Sequence, residues 1–374
     1  MSLADDLSSQ PTAVEAEYRP RTEFDGASGG YIQTGPLREQ PASHRELLEQ
    51  FGYNPDEVQI VGAPRISRWQ THDERWLAAY RFQIAPIGPG RDISELVDVV
   101  NRHRAHNPVG GGPHFFVYQA GDLQLGKRSR DGDTEQIIER YLDSVDQAVA
   151  EFEHLQRHGI EGVQISMPGD CIEGAVSQNS KNLWLTKETV TEQVRILRRL
   201  MLHTVERFAP LVGKVYLDVA NGNHDENSRA QNFYPGDGWA TEAAIAVSDA
   251  LKMNDAAFGH VEVRVPNKWN GSMTVPVGST VVTVVHGHQW RIGQGFRWWQ
   301  EQCFGNQNPA GAQVLQHGHQ HSWELQTSAN RIRISSSTFD CGSDWYRDAH
   351  GQDAKRGGLT YLLRDGELSR MSLV

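Results

Sequence analysis

The chain has 374 residues, a formal net charge of −11 and, at 38% hydrophobic and 22% charged, the composition of an ordinary soluble globular protein. An acidic balance with pI near 5.8 speaks against nonspecific binding of free duplex, which needs basic faces that displace counterions. No apolar run approaches the roughly 20 residues of a membrane-spanning helix, no secretory signal opens the chain, and Cys171, Cys303 and Cys341 lie too far apart for a CxxC pair. These features predict a cytoplasmic protein with no membrane contact, no disulfide framework and no thiolate metal site.

Residues 1–43, rich in Ser, Gly, Pro, Gln and acids, read as a mobile arm. Residues 44–112 read as a small α+β accessory unit and linker. It comprises a short helix (His44 to Phe51), two aromatic and β-branched segments (Arg65 to Gln70 and Trp76 to Ile84) separated by THDER, a helix from Ile93 to Arg104, and a PVGGGP boundary. From residue 113 onward strands and helices alternate. A strand at His114 to Gln119 leads to a helix over 134–158 with apolar residues at helical spacing, then a strand at Val163 to Met167 and a helix from Thr186 to Phe208. A strand at Val215 to Val219 and a helix from Trp239 to Met253 complete the alternation. Strands follow at Val261 to Val265, Val281 to His286, Val314 to His317, Trp323 to Thr327 and Ile332 to Ser336. The expected architecture of 113–374 is an α/β core with two packed mixed β-sheets flanked by helices, four layers in all.

Five polar clusters recur at the ends of the predicted strands: Asp122-Leu-Gln124, Gly169-Asp170, Gly222-Asn223-His224-Asp225, His286-Gly-His288 and Gly318-His319-Gln-His321. Any one of them alone is an ordinary turn. Together they gain meaning, because loops at the carboxyl ends of strands in an α/β sheet converge on one crevice. Carboxylate, carboxamide and imidazole suit a divalent ion such as Mn, Fe, Zn, Ni or Mg, whereas calcium would want more oxygens. Two such ions about 3.5–4 Å apart can clamp the attacking and leaving oxygens of a phosphoryl displacement.

GD, GNHD, a single His after an apolar strand and GHxH, in that order, resemble the calcineurin-like metallophosphoesterase superfamily. Within it, GDLQLGK and GNHDE look closest to the nuclease subunit of double-strand-break repair complexes. The wider layout, with SRWQ, GDCIEG, HGHQW and GSDWYR, looks like metallophosphoesterases encoded by bacteriophages of actinobacteria and their relatives, for which the location is host cytoplasm. The resemblance implies two divalent metal ions, Mn foremost. Asp170 would bridge them; Asn223, His286 and His319 would complete one site, and Asp122, Gln124 and His321 the other. His224 would face the scissile phosphate as a catalytic acid with Asp225 orienting its ring. Gln124 departs from the pattern, which has His there; a neutral carboxamide oxygen is the weaker ligand.

The segment from Gln289 to Trp299 holds two arginines, four aromatics and no acid directly after a candidate ligand. It reads equally as a packed helix with aromatic anchors or as a wall that stacks bases and neutralises phosphates through Arg291, Arg297 and Trp298. Arg229, and less so Trp345-Tyr346-Arg347, are further candidates for substrate binding. His288 reads as structural and Cys171 as a small packed hydrophobe. The expected activity is hydrolysis of a phosphodiester, in single-stranded nucleic acid or a nucleotide, by direct attack of a metal-bound hydroxide. The rivals are a phosphomonoesterase on a small substrate and a non-catalytic scaffold; no protein partner is indicated.

Overall fold

A computed structural model of the chain describes residues 19–24, 30–55, 58–71, 75–86, 93–106, 111–176, 186–228, 234–344, 347–348, 351 and 353–374. The chain divides into two compact units, 1–91 and 92–374.

In the smaller unit, β1 (Arg21–Phe24), β2 (Gly30–Gln33), β3 (Val58–Gln70) and β4 (Trp76–Pro86) form an antiparallel sheet in the order β1-β2-β4-β3, with α1 (His44–Gln50) between β2 and β3. Two of these strands fall inside the stretch read as a mobile arm. The reason is register: β2 lies along β4 and buries Ile32 with Tyr80, Phe82 and Ile84, a pairing that local composition cannot reveal. The residues 72–74 of THDER lie outside those described.

The larger unit has the four layers expected from the sequence. A six-stranded sheet has the order β15-β14-β5-β6-β7-β8, built from β5 (His114–Gln119), β6 (Ile160–Pro168), β7 (Val215–Ala220), β8 (Val261–Arg264), β14 (Leu359–Arg364) and β15 (Glu367–Leu373). A five-stranded sheet has the order β12-β13-β11-β10-β9, from β9 (Ser272–Val277), β10 (Thr280–Val285), β11 (Val314–His317), β12 (Glu324–Ser328) and β13 (Arg331–Ser335). Strand β5 shows why the layers stack as they do. With a side-chain period of two, Phe116 and Tyr118 face the helices while Phe115 and Val117 face the second sheet. Strands β10 and β11 repeat the device: Val282, Val284 and Val314 pack between the sheets, Val285 and Leu315 on the outer side.

Helices α2 (Ile93–Arg102), α3 (Thr134–Leu155), α4 (Val190–Phe208), α5 (Trp239–Leu251) and the short α6 (Asp255–Phe258) belong to the first layer, and α7 (Gly295–Phe304) to the last. Their starts follow their caps. Asp133 and Gln136 form a capping box for α3, and Thr189 and Glu192 one for α4, which is why α4 begins at Val190 rather than at Thr186. Helix α3 yields at Leu155 to a single 3₁₀ turn that Gly159, at φ 76°, ends. Helix α2, read from the sequence as part of the accessory segment, buries Leu96 and Val100 in the core of the larger unit. Among the described residues no helix is long and apolar enough to cross a membrane.

Between the sheets the apolar core is interrupted by a fully bonded polar seam. Gln164 donates to Asp218 (2.6 Å), Gln316 donates to Gln164 (2.9 Å) and Tyr361 (2.8 Å), Ser166 donates to Gln316 (2.7 Å), and Tyr361 donates to Gln119 (2.8 Å). Asp218 is closed off by the Arg264 guanidinium through two bonds of 2.6 and 2.7 Å. Removing one partner of a buried ion pair strands the other, at a cost of about 3–5 kcal/mol. Asp218→Ala should lower the urea midpoint accordingly, and Asp218→Leu with Arg264→Met should recover most of the loss. Equal losses for both would show that the stranded Arg264 guanidinium is not what destabilises Asp218→Ala.

Candidate metal centre

All five polar clusters sit where strands end on the same side of the paired sheets. Asp122 and Gln124 follow β5, Asp170 follows β6, Asn223 to Asp225 follow β7, His286 follows β10, and His319 and His321 follow β11. The backbone there is unusual. Asp122, Gln124, Asp170, His319 and His321 have φ between 48° and 72°, and they are five of the nine residues other than glycine in the left-handed region among those described. Such conformations persist only where the surroundings over-determine them, and they cluster at functional sites. Glycine makes room beside them. A Cβ on Gly169, itself at φ 87°, would lie 2.6 Å from the Gly222 nitrogen and 2.7 Å from His286 Nδ1; one on Gly318 would run into the Asp122 carboxylate.

Asp170, His286 and His319 each offer a ligand atom, and these atoms lie within 4.8 Å of one another. His286 is fully buried; its Nδ1 donates to the Pro168 carbonyl at 2.8 Å, so in the neutral ring Nε2 would carry the lone pair. That Nε2 has no hydrogen-bond partner although Asp170 Oδ2 is 3.0 Å away, the spacing of two ligands on one ion. Electrostatics agree. Burial opposes charge on His286, yet Asp170 and Asp122 outweigh it and push the ring up to about 9. Burial would raise Asp170, but His286 and His224 hold it well below the usual carboxylate range. A buried acid that recruits protons onto its histidines is a place short of positive charge, and a divalent cation fits there. Asn223 follows Gly222 in the loop at the same edge, with its Oδ1 buried.

His224 lies beside this group. Its backbone N–H donates to Asp170 Oδ1 at 2.8 Å and its Nε2 is 3.9 Å from Asp170 Oδ2. Its ring is oriented differently from the expectation. Nδ1 donates to the Glu173 carbonyl at 3.1 Å and lies 3.3 Å from Glu173 Oε2. Asp225 instead turns its carboxylate to the backbone N–H groups of Cys171 (3.0 Å), Ile172 (3.2 Å) and Gly222 (2.7 Å). It is therefore a knot that ties the loop after β6 to the loop after β7, not the orienter of His224. Burial, with Asp170 nearby, pushes the Asp225 carboxyl up to about 7.

Asp122 and His321 form the other flank. The Asp122 carboxylate accepts the His319 backbone N–H at 2.9–3.0 Å and lies 3.5 Å from His321 Nε2, while His321 Nδ1 faces Asp340 Oδ2 at 3.3 Å. Burial raises the Asp122 carboxyl to about 6 against the pull of His321 and His286. The Gln124 oxygen accepts Lys127 Nζ at 2.5 Å, and the same ammonium is bonded to Asp340. Sequence reasoning missed Glu173, Lys127 and Asp340. The first two stand inside the quoted GDCIEG and GDLQLGK, and Asp340 lies in TFDCG just beyond β13, a sixth polar strand end.

The Gln289–Trp299 segment carries both packed and surface side chains. Trp299 is buried in the outer core and donates to the Pro309 carbonyl at 2.7 Å, and Trp290 packs 4.8 Å from Trp298 and 5.2 Å from the His317 ring. Arg291, Arg297 and Trp298 nonetheless line one surface recess of about 320 Å³, where Arg297 pairs with Glu301 at 3.1 Å. His288 is exposed, its ring 5.5 Å from that of His286. Arg229, Trp345 and Tyr346 lie outside the described residues. Cys171 is fully buried, and burial together with Asp225 pushes its thiol well up, as for a packed hydrophobe.

No protein-family model matches the chain, and no curated protein matches it. Among solved structures, an archaeal phosphodiesterase is 11% identical, with 69% of this chain and 99% of that one covered, at a TM-score of 0.32. A predicted phosphoesterase from Streptococcus pneumoniae is 12% identical (67% and 84%, TM-score 0.29), and vacuolar protein sorting 29 from Cryptosporidium parvum is 15% identical (70% and 97%, TM-score 0.30). Similarity at this level says nothing of activity.

The assignment of Glu173 has a direct consequence in the metal-free protein. Burial alone would lower the His224 pKa, and Asp170 with Glu173 outweigh it and raise it to about 9. In Glu173→Gln the ring should titrate lower, towards its ordinary value near 6.5. The His224 ring-proton shift followed by NMR against pH reads this, and an unmoved titration would remove Glu173 from the site.

Proposed function

We propose that the protein is a metal-dependent phosphoester hydrolase acting on a phosphodiester in single-stranded nucleic acid or a nucleotide. The observation that carries this is the convergence of Asp170, His286 and His319 with His224 held against the same carboxylate. Asp170, His286 and His319, with Asn223 beside them, are the residues that would hold a divalent ion, Mn²⁺ foremost. Such an ion acts as a Lewis acid on phosphoryl oxygens and brings the pKa of water towards neutrality.

His224 supplies the proton chemistry. With Nδ1 fixed by Glu173, the ring presents Nε2 on the Asp170 side, and in the metal-free protein the two carboxylates raise its pKa to about 9. A proton on Nε2 is therefore positioned to pass to a leaving alkoxide or to hydrogen-bond the phosphoryl group. Arg291, Arg297 and Trp298, with Arg297 paired to Glu301, give a surface recess cationic and aromatic contacts suited to a phosphate and a base. The net charge of −11 favours a second reading, a small phosphomonoester, because a long polyanion meets a repelling surface.

EDTA should abolish hydrolysis of bis-p-nitrophenyl phosphate, and Mn²⁺ should restore it; full activity after exhaustive chelation would exclude the metal mechanism. His224→Ala should lower turnover by about 10²–10⁴-fold with metal content kept, whereas Asp170→Ala should lose metal. If both variants lost metal alike, His224 would be a ligand and not an acid.

Substrate class is read from the recess. Arg297→Ala should weaken cleavage of a single-stranded oligonucleotide mostly through KM, about 5- to 100-fold if a stacked base is released with it, and barely affect bis-p-nitrophenyl phosphate. Equal losses on both substrates, with a lowered melting temperature, would leave the small-substrate reading.

A further inference from the structure

The two flanks of the centre are built differently. On one, Asp170, His286 and His319 bring three ligand atoms within 4.8 Å, and this is the group of that kind found among the described residues. On the other, a chain of contacts runs from Gln124 through Lys127, Asp340 and His321 to Asp122, with a cation of the protein's own in its middle. Lys127 Nζ has three donors. One goes to Gln124 Oε1 at 2.5 Å and one to the buried Asp340 carboxylate; the third has no protein partner among the described residues. The side chain is 16% exposed, so the ammonium is anchored but still reachable.

This flank is thus poor for a second metal ion, while the Lys127 ammonium within it offers an anion a contact despite the Asp122 and Asp340 carboxylates. The carboxamide oxygen that would have to serve as a ligand is already committed to the ammonium, and it is a weaker ligand than imidazole for borderline metals. A divalent ion sharing Gln124 with Lys127 would face a like charge a few ångströms away inside a partly dry site. The ammonium itself is a compact point charge of the kind that binds phosphate oxygens.

We propose that this centre works with one divalent cation, at Asp170, His286 and His319, and that the Lys127 ammonium takes the place of a second, offering its remaining N–H to a non-bridging oxygen of the phosphoester. The inference rests on the phosphoesterase reading above, and the test separates the two. Metal-free protein is equilibrated with Mn²⁺ or, separately, Zn²⁺, passed over a desalting column in matched buffer, and its bound ions are counted by elemental analysis, with calorimetric titration as a second count. The wild-type protein should hold one ion per chain. Gln124→His, which keeps the ammonium, should also hold one, as should Lys127→Arg, which keeps the charge. Gln124→His with Lys127→Met, which removes the ammonium and supplies an imidazole, should hold two.

Two ions on the wild-type protein would overturn the inference and leave the phosphoesterase reading standing. None would overturn both. One ion on the folded double variant would deny Lys127 the role of excluding a second. Should that variant fail to fold, two ions on Gln124→His alone would overturn the inference by the same logic.

Discussion

Five side chains at the candidate centre leave a backbone held at positive φ, and much of the surrounding structure serves to keep it there. A residue with a Cβ in that region carries a conformational penalty of order 1–3 kcal/mol, so neighbouring bonds must over-determine the loops. They do. The Asp122 carbonyl accepts from Phe339 N–H at 3.1 Å and Thr338 Oγ1 at 2.8 Å, while its carboxylate caps the His319 N–H. Asp122 N–H donates to the Gly169 carbonyl and Gln124 N–H to the Asp170 carbonyl, at 3.0 and 2.9 Å. The loops after β5, β6, β11 and β13 are thereby laced to one another rather than to solvent. Asp225 adds the loop after β7 through its three amide contacts.

That lacing explains why the site was legible in the sequence only in part. Glycine beside an acid or histidine at the end of an apolar run is a local signal, and it marked all five clusters that the fold gathers. What a side chain then turns towards is not local. Asp225 follows His224 in sequence and was assigned to its ring, yet it faces three amides, and Glu173, 51 residues before His224, holds the ring instead. Asp340 follows a strand end as the others do, but TFDCG carries no glycine before the acid and no histidine, so nothing local set it apart. The fold shows the same division. Amphipathic α3 and α4 and the buried central strands declared themselves by period. Strands β9, β14 and β15 have weak apolar periods, although Asp365-Gly366 between β14 and β15 marks a hairpin locally. Strands β1 and β2 have too little apolar pattern to be read without their partner β4.

The electrostatic layout is consistent with an acidic protein that concentrates positive charge where it is used. Asp122, Asp170, Glu173, Asp225 and Asp340 are all nearly or fully buried around the centre. Among them stand two imidazoles pushed up to about 9 and one anchored ammonium. In the metal-free protein these cations offset part of the buried negative charge; a divalent ion on Asp170 and His286 would take the place of the His286 proton rather than add to it.

The polar seam between the sheets bears on how such a sequence can change over time. Gln119, Gln164, Asp218, Arg264, Gln316 and Tyr361 come from six different strands, and most spend their hydrogen-bonding capacity on one another. A substitution at one leaves an orphan on another strand, far away along the chain. Drift at these positions is therefore coupled: descendants of this sequence should carry either the whole set or a jointly rewritten one. The seam should appear in any collection of relatives as a block of covarying columns linking the two sheets, even where the apolar positions around it wander independently.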